Sequence, residues 1–182
     1  MEAKDIIQGL LEGNPRCQKA LVDTYAPYLF SICRRYLRDD HEAQDILQDC
    51  FLRVFKSIDT FKGDGSSLKP WMKRIAINLA LKKIKLFSYT RETYPDDAMP
   101  IVVTSPKANT KLNVDDIMEL LEQLTDDQKK VFNLYIIDGY SHKEIASQLG
   151  VEAATSRSIL LRARNTMQQL ILKRDNYEAK AI

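Results

Sequence analysis

Two stretches of this chain carry positive charge with no acid among them. Residues 69–85 hold Lys69, Lys73, Arg74, Lys82, Lys83 and Lys85, and residues 154–174 hold Arg157, Arg162, Arg164, Lys173 and Arg174. Clustered Lys and Arg raise a local potential that draws polyanions, a nucleic-acid backbone above all. A solvated helix face accounts for one such stretch equally well. Two of them in 182 residues shift the reading toward nucleic acid. The overall charge of +2 hides the pattern. Residues 15–86 carry fourteen basic against eight acidic side chains, a net +6, whereas residues 112–175 carry eight against ten, a net −2. Within the second block, 114–128 has Asp115, Asp116, Glu119, Glu122, Asp126 and Asp127 and no base.

Other chemistry finds little material. The two histidines, His41 and His142, are too few for a His-rich metal site or a relay. Cys17, Cys33 and Cys50 are odd in number, widely spaced and without a CxxC pair, which disfavours a disulfide framework and a zinc site. All three fall on apolar-rich helical segments and read as buried structural thiols. Six glycines, with no GxGxxG and no Walker-type run, leave no phosphate loop. The adjacent Asp39 and Asp40 would be the carboxylate pair of an all-α enzyme, but they stand at a helix start, where capping explains them better. No catalytic residue, metal or cofactor is expected, and no small-molecule substrate. No apolar run approaches the ~18 residues of a membrane helix, and Met1-Glu2-Ala3-Lys4-Asp5 does not read as a secretory leader. The expected setting is a reducing cytoplasm.

The elements that must position these residues are helices. Ile6, Ile7, Leu10 and Leu11 share one face of a short helix ending at Gly13, and Asn14-Pro15 supplies a cap and a first-position proline. Leu21, Tyr25, Leu29, Ile32 and Tyr36 continue at helical spacing, with a kink or break expected at Pro27. Asp39 and Glu42 form a capping-box pattern before a long helix burying Ala43, Ile46, Phe51 and Val54. Residues 61–69 have turn chemistry, and Pro70 is expected to open the next helix, which bears Trp71, Ile75, Leu79 and Ile84. From 88 to 111, three prolines interrupt any pattern and predict a linker. Beyond it, Thr125–Gln128 and Ser141–Glu144 are capping boxes. Residues 142–161 spell a helix, a turn at Gly150 and a second helix, with Ile145, Leu149, Val151 and Ile159 at packing positions and Ala146 where the helices cross. That is the layout of a helix-turn-helix, and Thr155, Ser156, Arg157 and Ser158 lie at the end that enters a major groove. Ser156 stands where an apolar residue is usual. The fold class is all-α, with two small helical domains, 1–87 and 112–182, joined by a flexible linker, 88–111.

Together the two blocks resemble bacterial RNA polymerase sigma factors of the extracytoplasmic-function (ECF) subfamily, the smallest two-domain kind. The resemblance covers about residues 10–175 and rests on four segments in family order: YAPYLF at 25–30, EAQDILQDCF at 42–51, FKGD at 61–64 with WMKRIAIN at 71–78, and YSHKEIA at 140–146 with TSRS at 155–158 and RAR at 162–164. It implies a region 2-like first domain, which docks on core polymerase and melts and reads the promoter −10 element. It implies a region 4-like second domain, which reads the −35 element.

The resemblance also implies residue roles. Asp45, Gln48 and Asp49 match positions that dock on a coiled coil of the largest polymerase subunit, and their i, i+3, i+4 spacing places them on one polar stripe. Asn78 matches an Asn beside the flipped non-template base, where an amide can both donate to and accept from a base edge. Lys73, Arg74 and Lys82 are the phosphate contacts expected around it, and Trp71 reads better as core than as a stacking platform. Thr155, Arg157, Ser158 and Arg162 are the expected −35 contacts, while Ile159 stands at a position often basic in the family. The implied partners are core RNA polymerase, promoter DNA and, by analogy, an anti-sigma factor. A free-standing helix-turn-helix regulator, binding duplex DNA as a dimer, is the competing reading. It leaves DILQDCF and WMKRIAIN without an explanation.

Overall fold

The computed structural model describes residues 3–37, 39–88 and 114–178, and the chain separates into two compact units, Met1–Thr93 and Tyr94–Ile182. The expected linker at 88–111 lies, apart from Ser88, outside the described residues. Among the described residues every regular element is helical. None of these helices is long and apolar enough to cross a membrane.

The first unit is built from α1 (Ala3–Leu11), α2 (Pro15–Tyr36), α3 (Asp40–Ser57), a 3-10 turn (Ile58–Thr60) and α4 (Gly65–Ser88). Helices α2, α3 and α4 pack mutually, and α1 lies against α2 and α4. Local side chains set their ends. Asn14 caps α2 by accepting from the Arg16 N–H at 2.9 Å, with Pro15 behind it. Asp39 Oδ1 accepts from the His41 and Glu42 N–H groups at 2.6 and 3.3 Å and so caps α3. Leu21 and Leu29 from α2, Val54 from α3, and Leu68, Met72 and Ile77 from α4 are wholly buried between the three helices. Cys17, Cys33 and Cys50 are free and buried among them. Burial pushes the Cys33 thiol up to about 11 and the Cys50 thiol to about 12.

Neither proline bounds a helix, which corrects the break offered as one outcome at Pro27 and the start expected at Pro70. Helix α2 runs unbroken through Pro27, and α4 begins at Gly65, five residues before Pro70. In both cases the proline is on the exposed side, as are Asp23 and Ser66, whose carbonyls lose their helical donor to water. The early start of α4 comes from Asp64. Its Oδ1 accepts from Ser66 Oγ at 2.6 Å, Ser67 Oγ at 2.9 Å and the Ser67 N–H at 3.1 Å. The hydrogen bonds from Ser66, and then from Ser67, hold this carboxyl below the usual aspartate value.

The second unit comprises α5 (Val114–Leu121), α6 (Asp126–Phe132), a π-helical turn (Asn133–Ile137), α7 (His142–Leu149) and α8 (Ala153–Glu178). Both capping boxes form as the sequence predicts. Thr125 and Gln128 cap α6 reciprocally, as Ser141 and Glu144 cap α7. Past Phe132 the helix changes to the π-turn at Asn133, whose side chain is buried. Along α8, Ala163 and Met167 close a core with Leu120, Leu121 and Leu124, and Phe132, Leu170 and Ile171 pack against it.

Candidate nucleic-acid and protein interfaces

Helix α3 separates its two sides sharply. Ala43, Cys50 and Val54 are fully buried, while Asp45, Gln48 and Asp49 are exposed on the opposite face. That face continues into Leu52, 55% exposed. Leu52 lies four residues past Gln48 and three past Asp49, so an apolar side chain completes an otherwise polar stripe. Sequence reasoning overlooked it, although a leucine on the polar side of a helical wheel was there to be seen.

Helix α4 sorts the four candidates for the −10 strand. Arg74, Asn78 and Lys82 are all exposed, at i, i+4 and i+8, and form one ridge. Lys73 is half-buried and stands off that ridge. Trp71 is half-buried too, its ring 5.0 Å from that of Phe61 and tilted 45° to it. The indole therefore closes the start of α4 against the 61–64 turn.

The second unit contains a complete helix-turn-helix. Helix α7 ends at Gly150, whose φ of +73° lies in the left-handed region that glycine enters freely. The Gly150 and Val151 N–H groups both donate to the Ala146 carbonyl, at 2.9 and 3.1 Å. Ile145 is wholly buried beneath the crossing, and Ile159 is turned into the unit with 9% exposure. The position often basic in the family is thus an inward-facing packing position in this chain.

At the N-terminal end of α8, Thr155, Arg157, Ser158 and Arg162 are all exposed. Thr155, Ser158 and Arg162 follow one stripe, with Arg157 beside it. The Ser158 hydroxyl donates within the helix, toward the Thr155 carbonyl at 3.0 Å and the Ala154 carbonyl at 3.2 Å. Its lone pairs are left to face outward. Leu161, 52% exposed, lies four residues past Arg157 on the same side and was likewise missed.

Ser156 resolves differently from its reading as a blemish. It is wholly buried, and its Oγ lies 2.9 Å from Nδ1 of His142. The buried hydroxyl therefore has a partner, which removes the penalty of burying it. Burial of the His142 ring, reinforced by the charges of Arg157 and Arg164, holds its pKa below the usual histidine value.

Two units whose described residues are all helical, one presenting an acidic stripe and a cationic ridge and the other a helix-turn-helix, fit a two-domain DNA-reading factor. Comparison with known proteins agrees. The sigma-70 region 2 family model matches residues 21–86, and the sigma-70 region 4 model matches 115–167. The chain belongs to the sigma-70 family, as an ECF sigma factor that directs transcription initiation. The free-standing regulator is not favoured.

It is 27% identical over 184 residues to the ECF RNA polymerase sigma-E factor of Escherichia coli, covering 91% of this chain and 94% of that one. It is 26% identical over 167 residues to the ECF RNA polymerase sigma factor SigE of Mycolicibacterium smegmatis, covering 88% of this chain and 64% of the relative. Among solved structures, the sigma factor RpoE bound to the anti-sigma factor NepR from Bartonella quintana shares the fold with a TM-score of 0.52, at 24% identity over 85% of this chain and 96% of that one. CnrH in complex with the cytosolic domain of CnrY gives a TM-score of 0.50, at 20% identity over 93% of this chain and 97% of that one.

Proposed function

We propose that the first unit docks on core RNA polymerase through Asp45, Gln48 and Asp49 and captures the melted −10 strand along α4. Arg74 and Lys82 meet phosphates, Lys73 supports them from the side, and the Asn78 amide meets a base edge. The second unit reads the −35 duplex with Thr155, Arg157, Ser158 and Arg162. In this reading residues 1–87 and 112–182 are the two working domains and 88–111 connects them. The protein works by binding, in the cytoplasm with the polymerase, and the chemistry of RNA synthesis belongs to the polymerase. An anti-sigma partner is inferred from the complexes of RpoE with NepR and CnrH with CnrY.

The observation that supports this most is the seating of Asp45, Gln48 and Asp49. All three are exposed on a helix whose other side is core, so they are free to meet a partner without opening the fold. The test is a titration of core polymerase, stripped of other sigma factors, with the wild-type chain and with an Asp45/Gln48/Asp49 triple alanine variant. The variant should bind at least tenfold more weakly, while its stability stays within about 0.5 kcal/mol of wild type, as surface changes do. Undiminished binding would remove the docking assignment.

A further inference from the structure

Three elements meet at the ring of His142. It opens α7, pairs through Nδ1 with the buried Ser156 Oγ of α8, and stacks on Tyr135 of the π-turn with ring centroids 4.4 Å apart. The Arg164 guanidinium stands 5.8 Å from the centroid of the same Tyr135 ring. A hydroxyl both donates and accepts, so the pairing with Ser156 persists whether or not Nδ1 carries a proton. The charge on the ring can therefore change while the ring stays in place.

The groups facing it are few. From α8 they are Arg157 and Arg164, whose charges bear on the ring. From the π-turn it meets the ring of Tyr135, which stacks on it. On α7 itself, Glu144 is held by the Ser141 cap, and Lys143 is exposed. Burial first, and the two guanidiniums second, disfavour the imidazolium. A DNA phosphate brought against Arg157 and Arg164 places the opposite charge on the same side and reverses their effect.

We propose that His142 is a positioning residue for duplex reading by α8, and that duplex binding takes up a proton at its ring. The proposal rests on the −35 assignment of α8. The sign follows from the two states. In the free chain the ring titrates below the ordinary value of about 6.5, and in the complex it titrates higher. Affinity should therefore rise as pH falls through the pKa of the complex, and level off below that of the free chain. One pKa unit between the states corresponds to roughly a tenfold change in affinity.

The experiment uses holoenzyme assembled from the full chain and core polymerase. Its probe is a labelled duplex that this holoenzyme has selected from random-sequence DNA. Affinity is measured by anisotropy from about pH 5.5 to about pH 8, bracketing the histidine range, at constant ionic strength. Wild type should bind roughly three- to tenfold more tightly at the acid end. H142Q, whose amide can still pair with Ser156, should give a flat profile. Calorimetry of the wild type in two buffers of different ionisation enthalpy counts the protons directly and should show uptake. A flat wild-type profile, a parallel slope in H142Q, or proton release would overturn the proposal. R157A, run alongside, separates the two ideas. Loss of its binding at every pH upholds the −35 assignment whatever His142 does, whereas unchanged binding removes that assignment and this proposal with it.

Discussion

In the first unit, the side chains that hold the fold and those proposed to meet partners are different sets. Helix α3 buries Ala43, Cys50 and Val54 and exposes Asp45, Gln48 and Asp49, and the residues classed as buried in the three-helix interior are apolar apart from the thiols. In the second unit the sets overlap. Asn133 and Ser156, the buried polar residues among those described, both belong to it, and Ser156 sits between Thr155 and Arg157 on the end of α8 proposed to read DNA. An apolar interior is non-directional, so it tolerates any outward stripe. A hydrogen-bonded crossing is directional, so it fixes how the outward stripe is aimed.

This contrast is open to direct attack. The largest effect should come from Leu29→Ala in α2. Truncating a wholly buried leucine costs about 3 kcal/mol. Calorimetry should show the first unit's transition falling and the second's staying in place, and a joint fall would merge the two units energetically. Next comes Ser156→Ala, which strips His142 Nδ1 of its partner. About 1 kcal/mol should be lost from the second unit alone, measured by urea titration. No change would mean that the crossing is held by apolar packing after all.

The smallest effect concerns the acid limb. The Asp64 carboxyl has a lowered pKa in the fold, so its contribution is present above the ordinary aspartate value of about 3.9 and disappears as pH falls through the lower folded value. Asp64→Ala should flatten that part of the first unit's stability-versus-pH curve and leave the second unit's unchanged.

What the sequence made legible was chemistry that closes within one turn of chain. The Asn14, Asp39, Thr125 and Ser141 caps all link groups two or three residues apart and were readable as patterns. So were the exposed stripes on α3 and α8, which need only the helical period. Pro27 and Pro70 misled as helix boundaries because a proline's effect depends on which side of the helix faces water, a tertiary fact. The Ser156–His142 pairing spans fourteen residues and two helices, so Ser156 read alone looked like a defect. The π-turn at Asn133 follows helix-compatible residues and announces itself through no local signal.

Helix α8 also acts as a lever. It is one rod of 26 residues, about 39 Å long. Its grip against α5 lies at Ala163 and Met167, while its working tip lies near Arg157. The ten-residue step from Arg157 to Met167 is an arm of about 15 Å, so a tilt of roughly 5° about the grip would sweep the tip by about 1.3 Å. That is enough to break or remake a hydrogen bond to a base edge. The Ser156–His142 tie beside that tip resists such a tilt, so substitutions at Leu120 or Leu124 reach the contacts proposed for α8 only as far as that tie gives.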